Sequence, residues 1–154
     1  MIFTFYLSNV PLVPDFTLHL SRSPALLLSN VTMQIDLPNY DKKLTLRLYS
    51  QRKGQDAVSM ISFDVPTTDQ AIADSRQNPL SKILIERTTS KFNQTLLLRH
   101  AEQEDIGKYW LEAIVDIKRD FTYKSNVVNQ DVRGESEDIL DLGQRTKKHW
   151  HKYH

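Results

Sequence analysis

Three groups of side chains in this sequence have the types and spacing to do chemistry. His100 stands close to Glu102, Glu104 and Asp105, the residue types of a general acid and base. The plainer reading is a solvated loop, and it is preferred. The glycines, at 54, 107, 134 and 143, form neither a phosphate-cradling loop nor a nucleophile elbow. His149, His151 and His154 close the chain, and neutral imidazoles are good ligands for zinc, copper or nickel. Lys147, Lys148 and Lys152 would repel a cation there, and a mobile tail would lose affinity in ordering itself. No metal, no cofactor and no enzymatic activity are therefore expected. The third group is two N-glycosylation sequons, Asn30-Val31-Thr32 and Asn93-Gln94-Thr95, acceptors that act only in a secretory context.

Composition narrows the remaining classes. Twenty Lys and Arg against nineteen Asp and Glu leave a formal charge of +1, which excludes a strongly basic nucleic-acid scaffold. The absence of cysteine excludes disulfides, thiolate metal sites and cysteine nucleophiles. The longest aliphatic run, Ala25 to Leu28, is far short of the roughly 20 residues of a membrane helix. Met1 to Val13 is apolar but interrupted by Ser8, Asn9 and Pro11 and lacks a basic start, so it does not read as a signal peptide.

The elements that would position any site are strands. Apolar residues alternate in 16–20, 31–37 and 44–48, with further candidates at 58–65, 83–85, 92–98, 109–115 and 121–128, separated by Pro, Asn and Gly. A period of two is that of strands with one buried and one solvated face, as in antiparallel sheets. An all-β domain, a sandwich or barrel, is expected. Thr67 to Pro79 is polar and reads as a long loop with at most a helical turn. Residues 133–154 carry an acidic block and then a basic block, and read as a mobile charged tail. The expected organisation is an N-terminal extension over 1–14, a β-sandwich over 15–132 and the tail.

The most specific stretch runs from Leu96 to Leu111. Leu96, Leu98, Ala101, Asp105, Gly107 and Tyr109 fall at the spacing L-x-L/I-x-x-A/V-x-x-x-D-x-G-x-Y-x-C. In that register it resembles the E-to-F segment of immunoglobulin-superfamily domains, of variable or intermediate type. The resemblance implies an immunoglobulin-like antiparallel sandwich in which Tyr109 returns its hydroxyl to the backbone as a tyrosine corner. It also implies that Ile35 and Leu111 fill the two cysteine slots, that Leu46 replaces the core tryptophan, and that 58–77 holds extra C′ and C″ strands.

Alternation then assigns the two faces. With Tyr109 and Leu111 inward, Trp110 and Glu112 face outward, and so do Arg47 and Tyr49 on the neighbouring strand. Aromatic residues with Arg are the composition of an interface centre. Those four residues are the candidate partner-binding set; the alternative is that Trp110 is covered by the N-terminal strand, the long loop or the tail. The functional expectation is a non-catalytic recognition module binding a protein partner, homophilically or heterophilically, at a cell surface or outside the cell. No nucleic-acid partner and no membrane span are expected. The alternatives are an intracellular structural domain of a cytoskeletal assembly, and a sandwich that binds a small molecule or glycan.

Overall fold

The computed structural model describes residues 16–37, 43–88, 93–116 and 121–134, without the side chains of Val115, Asp116 and Phe121. The strands are β1 (Thr17–Leu20), β2 (Ala25–Leu26), β3 (Val31–Asp36), β4 (Leu44–Gln51), β5 (Val58–Val65), β6 (Ile83–Glu86), β7 (Asn93–Leu98), β8 (Gly107–Asp116), β9 (Phe121–Lys124), β10 (Val128–Gln130) and β11 (Val132–Arg133). They form two antiparallel sheets among the described residues. The first has the order β1-β3-β7-β6; the second has the order β10-β8-β4-β5, with β9 also on β8. A short parallel pair, β2 with β11, is set apart from both.

Side-chain parity explains why these segments are strands. Val31, Met33 and Ile35 are fully buried while Gln34 between them is exposed, and Leu44, Leu46 and Leu48 repeat the pattern. Leu96 and Leu98 from the first sheet join one apolar cluster with Leu46, Leu48, Tyr109 and Leu111 from the second. Each fully buried aliphatic side chain contributes about 1.5–3 kcal/mol, so the predominantly β architecture rests on these alternating rows.

The long loop expected over Thr67 to Pro79 is instead a helix, α1 (Asp69–Gln77). The Thr68 hydroxyl caps it by accepting from the Ala71 N–H at 3.1 Å, Asp69 lies in its first turn and Arg76 in its last. It buries no residue completely, yet Ala71 and Ile72 pack on the core cluster. The extra length after β4 therefore holds one strand, β5, followed by this helix. The expected strand over 121–128 is divided, with Ser125 between β9 and β10. Its hydroxyl accepts from the Leu111 N–H and its own N–H donates to the Leu111 carbonyl, both at 2.9 Å. Phe92, the extension 1–14 and most of the tail lie outside the described residues. Among those described, no helix is long and apolar enough to cross a membrane.

Candidate functional site

The turn between β7 and β8 sets the phase of the second sheet. Leu96, Leu98 and Ala101 are wholly buried, and a single 3-10 turn, Gln103–Asp105, reverses the chain. The Asp105 carboxylate, only 7% exposed, accepts from the Glu102 N–H at 2.8 Å and pairs with Lys82 Nζ at 2.8 Å. The Tyr109 hydroxyl donates to the Asp105 carbonyl at 2.6 Å. Gly107 is needed for space: a Cβ there would lie 2.5 Å from the Gln51 carbonyl oxygen.

Burial pushes the Tyr109 phenol well above the ordinary tyrosine range, and the charge of Asp105 adds to the shift. A raised folded-state value favours the protonated phenol. The associated stability is complete below the unfolded value near 10 and is lost as pH rises beyond it. Tyr109→Phe is expected to cost about 1–3 kcal/mol at neutral pH by leaving the Asp105 carbonyl without its donor. It should also remove part of the alkaline destabilisation. Urea melts of both proteins at pH 8 and 11 check this; equal stability of parent and variant at pH 8 would remove the corner's structural role.

With Tyr109 fixed inward, Trp110 faces out, directly opposite Tyr49 on β4; one step along, Glu112 stands opposite Arg47. The outward ring is not open to water, since Trp110 is only 8% exposed. Tyr49 stacks on it with ring centroids 5.8 Å apart and planes 12° from parallel. Lys124 Nζ lies 4.6 Å from the ring centroid on β9, a cation–π contact. The N-terminal extension and the tail beyond Gly134 lie outside the described residues; among those described, Tyr49 and Lys124 are the groups set against the ring. The Arg47 guanidinium donates to the Tyr49 hydroxyl at 3.2 Å. That bond raises the Arg47 pKa, with the Tyr49 and Glu112 charges adding. The arrangement is a row of Arg47, Tyr49, Trp110 and Lys124 across three strands, two cations flanking an aromatic pair.

Lys124 was not marked by the sequence reading. It sits opposite Glu112 in the β8–β9 register, so its reach to Trp110 is diagonal and depends on pairing that a single strand does not reveal. Ile35 and Leu111 are both fully buried, one in each sheet. Asn30 is exposed before β3, its side-chain oxygen accepting from the His100 N–H at 3.0 Å. Asn93, partly buried, starts β7 opposite Asp36. The carboxylates near His100 are engaged elsewhere, Asp105 by Lys82 and Glu104 by Arg52 at 3.6 Å. No hydrogen bond or ion pair among the described residues joins them to its imidazole. The three terminal histidines lie outside the described residues.

Among known proteins, no family model matches this chain and no curated protein matches it either. The functional reading therefore rests on the geometry of the corner and of the outer face.

Proposed function

We propose that the two sheets are the layers of an immunoglobulin-like sandwich, and that the protein is a non-catalytic recognition module. Its partner is a protein, met at a cell surface or outside the cell, and its docking face is the outer side of the second sheet. The observation that carries the reading is the stack of Tyr49 on Trp110 between Arg47 and Lys124. Trp110 is nearly enclosed, while Tyr49, Arg47 and Lys124 around it keep part of their surface in water. A stacked pair held rigid among cations is the composition of an interface hot spot, with Tyr49, Arg47, Lys124 and Glu112 meeting the partner and Trp110 as their platform.

The strand orders support the fold assignment. β1-β3-β7-β6 corresponds to A-B-E-D, and β10-β8-β4-β5 to G-F-C-C′, the layers of a variable-type domain. In that arrangement Ile35 and Leu111 are facing core neighbours. Cysteines installed together at 35 and 111 are expected to oxidise to a bridge, since facing slots bring Cα atoms within about 4.4–6.8 Å. Free thiols persisting under mild oxidation of the folded variant would reject the assignment. The exposed Asn30 sequon fits an extracellular setting, and mass spectrometry of protein from a secretory host reads its occupancy.

The functional test is a binding screen of purified extracellular proteins against the parent and against Arg47→Gln with Lys124→Gln. A partner bound by the parent and at least tenfold more weakly by the variant is the expected result.

A further inference from the structure

The outer face of the second sheet carries cations that its own carboxylates do not neutralise. Among the described side chains, those turned outward from β4, β8 and β9 include Arg47, Lys108 and Lys124 but one carboxylate, Glu112. At the margin of the face Lys43 and Asp64 pair with each other at 3.6 Å. Among the described residues no carboxylate forms an ion pair with Arg47, Lys108 or Lys124. Arg47 gives its hydrogen bond to the uncharged Tyr49 hydroxyl, and Lys124 lies over the Trp110 ring. These contacts hold the two cationic heads in place and leave their charge uncompensated. Lys108 and Lys124 are exposed, and Arg47 is half-buried.

The order of these charges discriminates between partners. Glu112 stands opposite Arg47 on one side and opposite Lys124 on the other, so the row across the sheet reads base, acid, base. Its ends are two strand intervals apart, about 10 Å. The complement is two carboxylates at that separation with a hydrogen-bond donor between them. A continuous polyanion fits poorly, because it sets an anion against Glu112 as well. A second copy fits poorly too: with a two-fold axis over Glu112, cation faces cation and the two glutamates face each other. Shifting the axis to pair Arg47 with Glu112 sets each Lys124 over β5, where Ser62 stands beside Arg47 and offers no charge. A folded protein surface can alternate its charges at side-chain spacing.

We propose that this face is heterophilic and takes an acidic protein surface, in which two Asp or Glu side chains meet Arg47 and Lys124 and a donor meets Glu112. The inference rests on the reading of this face as the docking face and adds the partner's chemistry to it. The half-buried Tyr49 ring lies two residues along β4 from Arg47, where an apolar group of the partner stacks on it. Lys108 adds to the field that draws an acidic surface in, so charge acts on the rate of association as well as on specificity.

The test is selection from a random peptide library displayed on phage, run in parallel on the full parent chain and on folded Arg47→Gln with Lys124→Gln. The expected peptides carry two Asp or Glu flanking a Lys, Arg, Asn or Gln and bind the variant at least tenfold more weakly. Their affinity for the parent should fall at least tenfold between about 0.05 and about 0.5 M salt. Apolar or basic peptides that the variant loses would overturn the acidic partner while leaving the docking face. Peptides held equally by the variant would overturn both. No enrichment on the parent overturns the inference. Retention on heparin that the variant loses, or dimerisation of the parent by sedimentation from about 1 to 200 μM that the variant loses, overturns it as well, in favour of a polyanion or a second copy.

Discussion

Leu111→Ala is expected to lower stability by about 2–5 kcal/mol, the range for emptying a buried leucine site. The upper half of that range applies because the site cannot collapse. Leu111 is wholly buried and lies opposite Leu48 on one neighbouring strand. Its backbone is clamped on the other side by both hydrogen bonds to Ser125, so β8 cannot shift inward to fill the void. Urea melts measure the loss. A cost below about 1 kcal/mol would mean that Leu111 does not anchor the second sheet to the first.

Gly107→Ala is the second large effect, with an expected cost of about 3 kcal/mol from overpacking against backbone. The added methyl would meet the Gln51 carbonyl oxygen at 2.5 Å and its carbon at 3.1 Å. Neither is the end of a flexible side chain. Relief requires moving the end of β4 away from β8, which breaks the pairing of Gln51 with Lys108. Gly54 supplies the control. Its φ of +75° favours glycine, but nothing lies within 4 Å of its Cβ position, so Gly54→Ala should cost only about 1–2 kcal/mol. Equal costs at the two positions would show that crowding is not what selects glycine at 107.

Much of this fold is legible in single-strand parity. The alternation in 31–37 and 44–48 separates buried from solvated positions, and the spacing from Leu96 to Tyr109 locates the corner that fixes which face Trp110 takes. Parity assigns a face but not an exposure. The stacking of Tyr49 and the reach of Lys124 depend on which strands are neighbours and in what register, which one sequence does not state. Helix α1 escaped for a different reason. Its apolar residues, Ala71, Ile72 and Ala73, are consecutive and draw no stripe of period 3.6, and its Ser and Asp content matches a loop. What holds it is tertiary: Ala71 and Ile72 against the core cluster and Ser75 on the edge of β6. The parallel pair of β2 and β11 spans two residues on each strand, too short for any periodic signal.

The recognition reading separates two roles on the outer face. Trp110, nearly enclosed, contributes to both stability and binding, so its removal confounds the two. Arg47 and Lys124 present their charges at the surface, and altering them probes binding with little disturbance of the core. The decisive measurement is affinity and melting temperature taken together on Arg47→Gln with Lys124→Gln, neutral changes that put no like charge opposite Glu112, against a protein that the parent binds saturably. The account predicts at least a tenfold weaker Kd, with the melting temperature within about 8 °C of the parent, since the stack of Tyr49 on Trp110 stays in place and the cation–π contact and hydrogen bond given up are together worth about 1–2 kcal/mol at the surface. Unchanged affinity in a folded variant would contradict it, and would move the docking face away from the second sheet.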